Sequence, residues 1–369
     1  MAIKYANSRS RLLSIYRPKN HKLINRMYKH IKSIILGLAF LSVFSCKKDI
    51  RVVPDVSDIE VEVKFRHFEQ DLFEIDTTKT LAELERIQVE YPVFAEVFFE
   101  NLLPVYDSLI FPEGPVKVIN GFIADSIIQV MYQKSQELYK NLDGASFEEA
   151  FKYYKYYFPN KPTPDVTSFI SEYAVSNFIY DEQSLAVGLD FFLGSDWPYM
   201  TINAGTPNFS EYLNRHYKKD YLVRNTLMPL IDDLNAPMQD RKLLDYMIEN
   251  GKELYVLNAL MPNASDTIIH QYDQKQMQWV ASNEANIYAH LIDEELLYST
   301  NWKDFRKLID YSPNSPGMPQ DAPGRTANYI GYRIIESYMR SYPETSMEAL
   351  LNMTDAQEIL AKSRYRPAQ

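Results

Sequence analysis

One cysteine, Cys46, stands in a chain of 369 residues, so no intrachain disulfide can brace the fold. Whatever structure forms must be held by a buried core alone. The position of that cysteine says more. Met1–Ser45 carries nine basic residues and no acidic one. It ends in an apolar run, Ile34-Ile35-Leu36-Gly37-Leu38-Ala39-Phe40, continuing through Leu41 to Phe44. A basic segment, a short apolar segment and a small residue before the cleavage point describe a secretory signal peptide over residues 1–45. The run is well short of the ~20 apolar residues that a spanning helix needs. Ser45-Cys46 sits where a lipobox places its acylated cysteine, although Phe44 is bulkier than the small residue usual there. Met27 makes the more ordinary start, which would set residues 1–26 apart from the signal. Exported proteins usually spend cysteines on disulfides. A lone cysteine after an apolar run therefore reads as a lipidation site, with fatty acids such as palmitate each contributing about 0.8 kcal/mol per buried CH₂.

Removal of the signal changes the charge balance. The whole chain has 39 basic and 49 acidic residues. Nine basic residues leave with Met1–Ser45, so the body keeps 30 against 49, a net −19. A strongly acidic body disfavours nucleic acid and anionic lipid surfaces as partners. Residues 46–58 read as a lipidated tether containing Pro54, and Lys47-Lys48-Asp49 favours the outer membrane over the inner one, facing the periplasm.

Residues 59–369 are expected to form a single α+β domain, with a strand-containing half to about residue 200 and a helical half over 201–369. Ile59, Val61, Val63 and Phe65 alternate with charged residues, the pattern of a half-buried strand. Thr77 or Thr78 is expected to cap a helix running to Glu90, and Pro92 to open another that ends near Pro104. Phe122–Leu138 and Ser146–Phe158 read as further helices, the second capped by Ser146. The short β-branched and aromatic runs Val166–Ile170, Tyr173–Tyr180 and Leu185–Phe192 predict strands that join the first in a small antiparallel sheet. Helices are expected over Tyr221–Leu234, Arg241–Leu260, Gln274–Leu297, Trp302–Leu308, Thr326–Arg340 and Asp355–Lys362. A loop at 312–324, rich in Pro and Gly, is long enough to be either mobile or functional.

Motifs for chemistry are sparse. His67, His216, His270 and His290 are far apart, and no H-E-x-x-H or cysteine pair occurs. G-x-S-x-G and both common phosphate-binding glycine motifs are absent. No cofactor is implied. Asp232-Asp233 and Asp293-Glu294-Glu295 read as solvated helix faces. Glu284 lies amid apolar neighbours, where a buried acid with a raised pKa competes with a paired structural carboxylate, the commoner case. The 28 tyrosines and 19 phenylalanines would suit glycan or protein recognition, yet Tyr153-Tyr154 and Tyr156-Tyr157 follow helical spacing and read as core.

Several segments carry a resemblance. Gly188-Leu189-Asp190-Phe191-Phe192-Leu193-Gly194, Asn283-Glu284-Ala285-Asn286-Ile287-Tyr288 and Glu295-Leu296-Leu297-Tyr298-Ser299-Thr300 resemble signatures of the GldB-type gliding-motility lipoproteins. So do Pro323-Gly324-Arg325, Ile330-Gly331-Tyr332, Asp355-Ala356-Gln357-Glu358-Ile359-Leu360 and Ser363-Arg364-Tyr365. The likeness runs from about Phe65 to Pro367 and keeps the family's order. It implies a cell-envelope lipoprotein working with other gliding or secretion proteins. The C-terminal half is also distantly similar to a family of zinc peptidases in which an H-E-x-x-H helix precedes an E-G-x-A segment. Here Asn250-Gly251-Lys252-Glu253 stands at the second segment and Arg224-Asn225-Thr226-Leu227-Met228 at the first. That departure removes the zinc ligands and the catalytic Glu, and implies a zincin-like scaffold without an active site. Asn250, Gly251, Glu253 and Glu284 are the candidate functional or structural polar residues. The leading expectation is a non-catalytic lipoprotein acting through protein contacts. A peptide or peptidoglycan hydrolase using Glu249, Glu253 or Glu284, and a glycan-binding lipoprotein, are the alternatives.

Overall fold

A computed structural model of the chain describes residues 53–202 and 209–368. The expected signal peptide, Cys46 and the tether up to residue 52 lie outside the described residues. Residues 55–369 form one compact unit.

Its sheet has four strands: β1 (Phe65–His67), β2 (Asp165–Phe169), β3 (Asn177–Asp181) and β4 (Ser184–Gly188). They are ordered β1-β2-β4-β3. The expected antiparallel sheet is in fact mixed: β1 and β2 pair in parallel, as do β2 and β4, and only β3 and β4 are antiparallel. The physical reason is connectivity. The 97 residues between β1 and β2 contain a set of helices, enough to carry the chain back for a parallel pairing. The tight turn after Asp181 makes β3 and β4 a hairpin, with Gln183 N–H bonded to the Asp181 carboxylate at 2.8 Å.

The first expected strand is corrected too. Ile59, Val61 and Val63 are half-buried and their charged neighbours exposed, as the alternation requires, but ladder pairing begins only at Phe65. The run Tyr173–Tyr180 is a strand only from Asn177, because Glu172 and Tyr173 take positive φ. Asp190 holds that bend: its Oδ2 accepts from Ser171 N–H at 3.1 Å and Tyr173 N–H at 2.7 Å. In the same way Leu185–Phe192 is a strand to Gly188 and a 3₁₀ turn beyond it.

Eleven described helices have eight or more residues: α1 (Thr80–Glu90), α2 (Pro115–Ala124), α3 (Ser126–Tyr139), α4 (Ala145–Tyr157), α5 (Leu222–Leu234), α6 (Leu243–Leu260), α7 (Gln274–Ser282), α8 (Glu284–Asp293), α9 (Trp302–Ile309), α10 (Thr326–Ser341) and α11 (Ala356–Ser363). Pro92 opens a short helix, Pro92–Val97, that continues as a π-helical turn to Leu102. The expected helix Phe122–Leu138 is broken at Asp125, whose carboxylate caps α3 by accepting from Ile127 and Ile128 N–H. The expected helix Gln274–Leu297 is broken at Asn283, which gives its amide to Trp279 O at 2.9 Å, and at Glu295, which has φ +54°. Neither Thr77 nor Thr78 caps α1, which starts after Lys79. Nor does Ser146 cap α4. That helix begins after Gly144, where a Cβ would come within 2.1 Å of Val63 O, so only glycine lets the two segments meet.

The core is continuous and aromatic on the sheet side. Phe68 lies 4.8 Å from both Phe94 and Phe98, and Phe169 meets Phe178 edge-on at 5.6 Å. Such ring pairs add about 0.5–1.5 kcal/mol each beyond their buried area. α5 lies against β3 and β4, and α6 runs alongside α10 as the most extensive helix pair of the fold. There two glycines meet: a Cβ on Gly251 would fall 2.4 Å from the Gly331 carbonyl carbon, and one on Gly331 would fall 1.8 Å from Met247 O. Backbone-to-backbone approach of this kind fixes how α6 and α10 sit against each other beside the space described next.

Candidate functional site

Two adjoining cavities lie beside α5. The larger, about 720 Å³, is bordered by edge strand β3 and by the α5 face that carries Asn225 and Pro229. The smaller, about 300 Å³, runs inward between α6 and α10 past Asn250 and Asn328. Arg224, Met228, Glu253 and Tyr311 line both. The proline is tolerated in α5 because the helical bond it removes, to the Asn225 carbonyl, lies on the side that opens into the larger cavity.

The five residues singled out by sequence meet different fates. Asn250 lines the inner cavity and donates to Asn328 Oδ1 at 2.9 Å. Glu253 lines both cavities, with Asn235 Nδ2 3.1 Å from its Oε1. Burial, with Asp232 and Glu249 nearby, pushes the Glu253 pKa up to about 7. Gly251 is on the other face of α6, at the Gly331 contact. Burial also raises the pKa of Glu249.

Glu284 is outside the cavities, and it is the paired structural carboxylate rather than a free buried acid. It is 2% exposed, and its Oε2 accepts from Arg333 Nε at 3.0 Å. Its Oε1 accepts from Tyr365 OH at 2.9 Å and Ala368 N–H at 3.2 Å. One carboxylate thus ties α8 to α10 and to the C-terminal segment, and it sits in the first turn of α8, where the helix dipole favours an anion.

Sequence reasoning missed the place of five cavity residues. Arg224 is 5% exposed; it gives Nη1 to Asn225 Oδ1 at 3.1 Å and Nη2 to Ile269 O at 3.4 Å, and its Nε has no acceptor. Arg325, at φ +62°, gives Nη2 to His270 O at 2.7 Å and lies over the Tyr311 ring at 4.4 Å. His216 and His270 are both buried, and burial with neighbouring arginines holds each near pKa 3, so both are neutral. Gln271 joins the two walls, accepting from Tyr311 OH at 2.5 Å and donating to Asn225 Oδ1 at 3.2 Å. Tyr311 and Arg325 flank the long loop 312–324. That loop is pinned at its ends, Ser315 donating to Pro323 O at 2.6 Å and Tyr272 OH to Gly324 O at 2.9 Å. The one available signal was the Pro323-Gly324-Arg325 run at its close.

Lys252, fully buried, gives its ammonium to Leu351 O at 3.0 Å and Met353 O at 2.9 Å, which ends the short helix Met347–Leu351. Burial brings its pKa down to about 8. Tyr153 and Tyr154 are core residues. Among the described residues no three His, Cys, Asp or Glu side chains stand together as a metal set. No described helix is long and apolar enough to cross a membrane.

A family model described as gliding motility protein GldB matches residues 49–367. Neither the curated proteins nor the solved structures give a match.

Proposed function

Because the chain belongs to the gliding motility protein GldB family, a family of lipoproteins, we propose that it serves the gliding apparatus without chemistry of its own, through protein contacts on a degenerate metallopeptidase-like scaffold. The lipid on Cys46 holds it to the membrane, the outer one with the body facing the periplasm. Its partners are other gliding or secretion proteins.

One observation carries the non-catalytic reading. The two segments that correspond to the zinc-binding segments of the peptidases do line adjoining cavities, with Arg224, Asn225 and Met228 on α5 and Asn250 on α6. Together with Glu253, which lines both cavities, they offer one carboxylate beside a guanidinium, two amides and a thioether, short of the three or four His, Cys or carboxylate ligands that zinc takes. Elemental analysis after expression with zinc supplied tests this, and about one zinc per chain overturns it.

The hydrolase reading keeps one supporting observation, the carboxyl of Glu253, brought to about 7 beside a cavity, where a general acid or base works. Colony spreading at matched protein levels separates the two. On the non-catalytic reading Glu249→Gln and Glu253→Gln spread like wild type. A stable, correctly localised Glu253→Gln protein that leaves cells non-motile supports the hydrolase.

A further inference from the structure

We propose that the cleft beside α5 is a receptor for a carboxylate, held by the side chain of Arg224. The inference rests on the non-catalytic reading of the protein given above.

One buried, charged side chain on the cavity wall has a donor without an acceptor. Arg224 Nε has none, and the guanidinium makes no ion pair with any described carboxylate. His216, 3% exposed, takes Arg215 Nε–H on its Nε2 at 3.2 Å, which places the proton of the neutral ring on Nδ1, and the Gln271 backbone also hydrogen-bonds this ring. Both side chains line the larger cavity. A buried charged donor left unpaired is costly, so Arg224 Nε marks where an acceptor-only group fits.

Charge points the same way. Arg325 adds a second guanidinium at the inner cavity, its donors turned to backbone carbonyls and a glutamine, with no described carboxylate paired to it. Facing them on the inner wall are Asp310 and Glu253, and burial raises Glu253 to about 7, so near neutral pH it carries only about half a charge. The inner wall thus sets two guanidiniums against fewer than two full carboxylate charges, within a body of net charge −19. Size and valence are limited by the outer rim, where Asp232 and Asp233 repel polyanions. A singly charged planar group suits the unpaired Nε of a guanidinium, and a carboxylate is that group. A phosphate is excluded by the rim's charge.

The carboxylate can belong to a small acid or to a chain end, and titrations of the purified full-length protein distinguish them. The probes are succinate, N-acetyl-tetraalanine as free acid, the same peptide as C-terminal amide, and inorganic phosphate, all at equal ionic strength. An arginine Nε–H resonance is followed by NMR and assigned by its loss in Arg224→Lys. Saturable movement of that resonance with succinate or with the free-acid peptide, absent for the amide, supports the proposal and names the source. Affinity should fall by about ten- to hundredfold in Arg224→Met, the loss expected for a charge-assisted bond. Equal binding of acid and amide, saturation by phosphate alone, or no movement of the Arg224 resonance overturns it. Because the wild-type resonance is itself a readout, a poorly folded variant does not rescue the idea. Such a failure leaves the non-catalytic reading standing, since that rests on metal content and spreading.

Discussion

Adding one methyl group at three glycines should give effects of opposite sign. Gly121, Gly251 and Gly331 all lie inside helices, where replacing glycine by alanine gains about 0.8–1.0 kcal/mol of helix propensity. At Gly121 the new Cβ meets nothing within 4 Å, so Gly121→Ala should stabilise the protein by about that amount. At Gly331 the Cβ would sit 1.8 Å from Met247 O, and at Gly251 2.4 Å from the Gly331 carbonyl carbon. Ordinary contact begins near 3.4 Å. Both obstacles are backbone, so no side-chain rotation relieves them and α6 must move off α10. Overpacking of a tight core costs about 1–3 kcal/mol and occasionally more. Set against the propensity gain, Gly251→Ala should lose about 1–2 kcal/mol and Gly331→Ala, with the closer contact, about 3. Urea unfolding of the three variants, comparing midpoints at unchanged slope, reads these values. If Gly331→Ala matched or exceeded wild-type stability, the helix contact described here would be wrong.

Gly251→Val, with two further carbons at the same contact, should accumulate poorly in cells, as an immunoblot will show. Glu284→Gln leaves the buried Arg333 pairing without its charge and should cost about 2 kcal/mol, discounted from a fully buried pair because Arg333 is partly exposed; wild-type stability in urea would contradict the anchoring role. Glu253 has a folded pKa of about 7, above its unfolded value of 4.5, so the folded state holds its proton more tightly and stability is lost as pH rises between those values. Glu253→Gln should flatten that slope and be more stable than wild type at pH 8, by on the order of 3 kcal/mol; parallel stability–pH curves for the two proteins would refute this. Cys46→Ala should abolish labelling by a fatty-acid probe, and continued acylation would remove the lipid anchor at that residue.

The helical half was the more legible part of the chain. α5, α6, α9, α10 and α11 fall within two residues of the expected spans, because their apolar periodicity is long and unbroken. Breaks were hidden where a polar residue serves as both surface and cap: nothing in the local pattern separates Asp125, which stops one helix and starts another, from an exposed aspartate within a helix. Alternation foretold which side of residues 59–65 is buried but not what they pair with, since pairing partners lie far along the chain. The cleft was half legible. Asn250 and Glu253 came from the likeness to zinc peptidases, and Arg224 stood in the quoted segment but was weighed only as a metal ligand. His216, Gln271 and Arg325 come together only through tertiary structure, from three separate stretches, and no spacing rule connects them.

The parallel pairing of β1 with β2 bears on the order in which the chain can close its sheet. Phe65 lies opposite Val166, 101 residues away. A chain emerging N-terminus first presents β1 early, and that strand has no neighbour until β2 arrives. Its central strand β2 then waits for β4, which pairs on the other side. Non-local strand pairing folds slowly because loop closure must come before the contacts that reward it. The β1–β2 and β2–β4 pairings thus depend on distant stretches of chain, whereas the β3–β4 hairpin is local.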